Sequence, residues 1–113
     1  MYKVKESDWK LYKRDFLLWR DIYVSQFLGK YLKIINKELM PLEIFWDLEE
    51  NIFQDKKKVC MLEETKRSTM LENIILLIRE NVINMNDLSR YSEELKTFII
   101  DILPPKAKIR SIK

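Results

Sequence analysis

The 113-residue chain contains no histidine, one glycine, one cysteine and three prolines. Without histidine it lacks the commonest general base and the commonest metal ligand, so catalysis would have to rest on carboxylates, tyrosine, lysine or Cys60. One glycine cannot build a glycine-rich phosphate loop, and it leaves few tight β-turns for a sheet. A lone cysteine closes no internal disulfide, in keeping with a reducing, cytoplasmic setting. No apolar run approaches the roughly 18 to 20 residues that a membrane span needs, and the first residues lack the apolar core of a signal peptide. These absences disfavour an enzyme, a cofactor carrier and a membrane protein.

What is present is helical pattern. With 47% hydrophobic and 35% charged residues, the composition predicts one all-α domain over residues 1–103, followed by a flexible basic tail over 104–113. Residues 7–39 read as one long amphipathic helix. At 100° per residue, Trp9, Tyr12, Phe16, Trp19, Tyr23, Phe27, Tyr31 and Ile34 fall within an arc of roughly 120°. A second line, Leu11, Leu18 and Ile22, lies to one side and asks for cover of its own. Such a helix would run about 50 Å, beyond the roughly 35 Å diameter of a compact chain of this size. It therefore either kinks, most readily at Gly29, or continues and presents its stripe to a second copy or a partner. The apolar phase holds through Gly29, which favours continuity.

The residue before Pro41 is pushed out of the α region, which ends the first helix by Met40 and lets Pro41 open a second. In LEIFWDLEENIFQDKKK the expected buried line is Leu42, Phe45, Leu48 and Ile52, with Trp46 and Phe53 at its edge, paired antiparallel to the first helix. A third segment spans about Val59 to Glu80. Its strong part begins near Thr69, whose spacing to Glu72 suits a capping box. Asn81 is placed to end it, Asn84 to cap a short piece over Met85 to Arg90, and Ser92 to start a last helix striped by Leu95, Phe98, Ile99 and Ile102. Pro104 and Pro105 stop that helix.

Charge divides unevenly. The tail holds Lys106, Lys108, Arg110 and Lys113 with no acid, residues 1–41 hold nine basic against five acidic residues, and residues 42–103 hold eight against thirteen. An anion-binding surface is thus expected only on the first helix or the tail. Lys10, Lys13 and Arg14, interleaved with aromatics, and Lys106, Lys108 and Arg110 are the candidate nucleic-acid contacts. A helix-turn-helix over residues 83–100 fails, because its second helix would offer Glu93 and Glu94 to phosphate. Glu43, Asp47 and Glu50 share a helix face, but without histidines they read as a solvated acidic face instead of a metal site. Cys60 follows three lysines that could activate it, and it reads as a small apolar residue.

The run FWDLEENIFQDKK, with ETKRSTM, IILLIRENVI and DLSRYSEEL, resembles a group of small bacterial helical proteins, some of which carry the name multidrug transporter. The resemblance covers roughly residues 45–95 and implies that Phe45, Trp46, Leu48, Arg67, Met70, Ile74 and Leu88 serve fold or partner; it brings no catalytic residue. The transporter name does not fit a chain without an apolar span.

The expectation is an all-α bundle of four main helices that acts as a cytoplasmic protein–protein interaction module, of the regulator or inhibitor kind that mobile elements encode. Its anchors would be Trp9, Tyr12, Phe16, Trp19, Tyr23 and Phe27, facing a partner or a second copy; an ordinary monomer core is the other use of the same stripe. The alternative function is a small nucleic-acid-binding regulator. No cofactor, metal or small-molecule substrate is expected.

Overall fold

A computed structural model describes residues 2–58, 61 and 66–104. The fold is all-α, with helices α1 (Glu6–Ile35), α2 (Pro41–Asp55), α3 (Met70–Arg79) and α4 (Glu93–Ile102) and 3-10 turns at Arg67–Thr69 and Met85–Leu88. Val59, Cys60, the first part of the expected third helix and the basic tail from residue 105 lie outside the described residues. By its internal contacts the chain divides into two compact units: Met1–Trp19 with Glu64–Lys113, and Arg20–Glu63. α1 contributes to both and is unbroken through Gly29, where an added Cβ would meet nothing within 4 Å.

The first unit holds most of the buried apolar surface. Tyr12 and Phe16 of α1 are buried, as are Met70, Ile74, Leu77 and Ile78 of α3 and Leu95 and Ile99 of α4. Each set recurs at helical spacing, so each helix gives one stripe to a shared core. Just past the end of α4, Leu103 is buried while Ile102 is half exposed, a shift of one residue from the expected line.

Local signals end the helices of this unit much as their chemistry dictates. Asn81 adopts a left-handed φ of 61° after α3, with Val82 N–H donating to Leu77 O at 2.9 Å and Asn81 N–H to Ile78 O at 3.0 Å. That pattern is a Schellman motif, and an asparagine tolerates its left-handed residue better than most side chains. Asn84 forms a reciprocal capping box with Asp87. Ser92 caps α4 by accepting from Leu95 N–H at 3.2 Å. Thr69 precedes α3 as expected, yet its hydroxyl donates to Lys66 O, and the box with Glu72 does not form.

Contacts far apart in sequence tie the N-terminal part of α1 to this unit. Asp8 accepts from Ser92 N–H at 2.8 Å and Ser92 Oγ at 2.6 Å, Tyr91 donates to Asp15 at 2.9 Å, and Asn73 donates to Tyr12 Oη at 3.1 Å. Arg67 pairs with Glu6 at 2.7 Å and donates to Val4 O, and Lys5 pairs with Glu94. Burial, reinforced by the Asp15 carboxylate it donates to, pushes the Tyr91 phenol far above its ordinary value, so it stays a donor.

The second unit is a helical hairpin made by the rest of α1 and by α2. Met40 sits in extended backbone and Pro41 opens α2, as the Pro rule requires. The face of α2 that turns away from solvent is Ile44, Asp47, Leu48, Asn51 and Asp55, and only Leu48 of these belongs to the expected buried line. Leu42, Phe45 and Ile52 stand exposed instead. The physical reason is a set of polar anchors. Asp55, buried, accepts from Lys30 Nζ at 2.9 Å and Tyr31 Oη at 2.6 Å, while Lys37 reaches Asp47 at 3.3 Å and Asn51 donates back to Asp47. A buried carboxylate must keep its partners, so these bonds fix the rotation of α2 about its axis.

The Asp55 cluster defines a pH window. Burial raises the Asp55 carboxyl, but the hydrogen bonds from Lys30 and Tyr31 and the nearby lysine charges outweigh it and hold the group below its ordinary value. Burial, with the bond to Asp55, pushes the Tyr31 phenol up to about 12. A depressed carboxyl adds stability that is complete above its unfolded value and is lost as pH falls through the folded one. A raised phenol adds stability that is complete below its unfolded value and is lost as pH rises through 12. The hairpin is therefore expected to be most stable between about pH 4 and pH 10. Helical circular dichroism followed from pH 2 to 12 checks this; Asp55→Asn should flatten the acid limb, and an unchanged acid limb would refute the assignment.

Candidate interaction surface

The expected anchors do not face outward. Tyr12, Phe16 and Trp19 are buried in the first unit, Tyr23 and Phe27 are buried in the hairpin, and Trp9 is half buried. Their rings pack on one another: Tyr12 lies 5.3 Å from Phe16 and 6.2 Å from Trp19, Trp19 stacks on Tyr91 at 6.3 Å, and Tyr23 lies 4.5 Å from Phe27. Of the two uses expected for the stripe, this burial matches the core of the chain itself, because side chains as enclosed as Tyr12, Phe16, Trp19, Tyr23 and Phe27 offer a partner no surface. The stripe serves the chain's own core; of the second line, Leu18 and Ile22 stand exposed and Leu11 is half buried.

Exposed apolar surface lies elsewhere. Of the large apolar side chains that stand exposed among the described residues, all but Leu17, Leu18 and Ile102 belong to residues 20–63. Among the described residues of the hairpin, the buried apolar side chains are Tyr23, Phe27 and Ile34, fewer than the large apolar side chains it exposes. On α2 the exposure forms one face: Leu42 is 64% exposed, Phe45 58%, Trp46 55% and Phe53 53%, with Ile52 beside them. Isolated exposed leucines are ordinary in a monomer, whereas three aromatics on one helix face are not.

That face has relief as well as area. Phe45, Leu48, Glu49, Ile52, Phe53 and Lys56 line an open groove of about 390 Å³. Phe45 and Trp46 meet edge to face at 5.3 Å, and Lys57 Nζ stands 4.1 Å over the Phe53 ring. Glu49 and Lys56 are the groove's two charges, and neither makes an ion pair among the described residues. Sequence periodicity found these residues and turned them inward; the signal it could not weigh was the carboxylate of Asp55 on the opposite face.

The basic candidates are only partly gathered. Lys10, Lys13 and Arg14 are exposed on α1, with Lys13 Nζ 5.6 Å from the centre of the Trp9 ring and Arg14 3.5 Å from Asp15. Lys106, Lys108 and Arg110 lie outside the described residues. Among the described residues, no cluster of three potential metal ligands occurs, and Asp47 is engaged by Lys37 and Asn51. No helix there is long and apolar enough to cross a membrane. No protein-family model matches the chain, and searches of curated proteins and of solved structures found no match.

Proposed function

We propose that the protein is a cytoplasmic protein–protein interaction module, a regulator or inhibitor that acts by occupying or assembling surfaces without chemistry of its own. Its docking element is the outer face of α2. The observation that carries this reading is the exposure of Phe45, Trp46 and Phe53 on one helix face, since aromatic side chains on rigid elements supply most of the energy of protein interfaces. The hairpin holds them rigidly through Asp55, which keeps the ordering cost of binding low.

The test is site-specific photo-cross-linking of the full chain in its own cells, with the cross-linker at Phe45 and, as control, at exposed Glu80. Position 45 should give a discrete protein adduct that Trp46→Lys abolishes, and position 80 should give none. No adduct at 45 would refute the docking role.

A further inference from the structure

We propose that the occupant of the α2 face is the same face of a second copy of this chain, the two helices running antiparallel. This rests on the docking reading and adds the partner's identity.

The charges on α2 suit an antiparallel second copy. α2 is electrically polar along its length: of its exposed charges, Glu43, Glu49 and Glu50 fall in its first ten residues, and Lys56 and Lys57 follow its last. Two such helices laid antiparallel bring the acidic half of each against the basic end of the other. Laid parallel, they oppose like charges. Glu49 and Lys56 stand at the groove with no ionic partner among the described residues, so each is free to meet its opposite on the second copy. A two-fold axis needs this kind of self-complementarity, and a face carrying one sign of charge could not provide it.

The exposed apolar area is also large enough for an interface. Leu42, Phe45, Trp46, Ile52 and Phe53 each leave on the order of 100 Å² uncovered, together roughly 500 Å² per chain. Two apposed faces remove about 1,000 Å² of apolar surface before the flanking polar residues are added, which reaches the size of a specific interface. Phe45 and Phe53 border a groove that a flat partner would leave empty and that an opposing helix ridge can fill.

Light scattering after size exclusion, from micromolar to several hundred micromolar full-length protein, reads the outcome. The wild type should approach twice the 13.8 kDa of one chain, and Phe45→Lys with Ile52→Lys should remain at the single-chain mass with unchanged helix content. Reversing one end, Lys56→Glu with Lys57→Glu, should loosen self-association roughly tenfold at low salt, as should Glu49→Lys with Glu50→Lys; an equimolar mixture of the two variants should regain it. A wild type that stays single at every concentration overturns the inference. If it still cross-links at Phe45 to some other protein, the docking reading stands without it, and if it cross-links to nothing, both fall. A dimer that survives Phe45→Lys with Ile52→Lys also overturns the inference, because its interface lies elsewhere.

Discussion

Phe16→Ala is expected to cost about 3 to 5 kcal/mol of stability, while Phe45→Ala, measured dilute enough to keep the chain single, should stay within about 0.5 kcal/mol. Both remove the same ring from a helix. Phe16 is 0% exposed and packs against Tyr12, so its loss leaves a cavity as well as forfeiting the transfer of its own surface. Phe45 is more than half in water and has little burial to lose. For a chain whose total stability is of the order of 5 to 15 kcal/mol, the first change removes a large share and should lower the melting temperature by roughly 15 to 30 °C. Urea or thermal unfolding followed by circular dichroism measures both variants. Similar losses would mean that the outer face of α2 is already covered within the chain, which would defeat the docking reading together with the placement of the core.

The contrast also marks how far periodicity reads a structure. A 3.6-residue repeat reports which side chains prefer to leave water; it is silent on what covers them. The stripe from Tyr12 to Ile34 was legible, and so were the caps at Asn81, Asn84 and Ser92, because each is a bond between neighbours whose chemistry lies within a few residues. The orientation of α2 was not legible. Its apolar residues repeat as cleanly as a core helix requires, yet Lys30 and Tyr31, 25 and 24 residues before Asp55, hold the opposite face inward. No local rule pairs those residues, and one buried carboxylate with two partners can outweigh the gain from burying an apolar face that another molecule can cover. Nor does any local signal mark where one compact unit gives way to the next, since α1 crosses from Trp19 to Arg20 without a glycine, proline or cap there.

Asp8→Ala should cost about 2 to 4 kcal/mol, far more than a carboxylate in the first turn of a helix ordinarily contributes. From the sequence Asp8 is one more acid near a helix N-terminus, worth less than about 1 kcal/mol through the dipole. In the structure it is 1% exposed and accepts both the backbone N–H and the hydroxyl of Ser92. That hydroxyl in turn accepts from Leu95 N–H. Asp8 therefore fixes the direction in which Ser92 donates and leaves its lone pairs for the first turn of α4. Removing the carboxylate strands the Ser92 N–H without its acceptor and frees the hydroxyl to rotate out of its capping position, which weakens α4 at its start. Ser92→Ala should cost about 1 to 2 kcal/mol through the lost cap. The two losses should not add in the double variant; a coupling of about 1 kcal/mol or more is expected, because both act on one network. Urea unfolding of the wild type, the two single variants and the double variant closes the cycle. Additive losses, or an Asp8→Ala cost below about 0.5 kcal/mol, would show Asp8 to be the ordinary surface acid that its position in the sequence suggests, and would leave the joining of α1 to α4 to apolar packing alone.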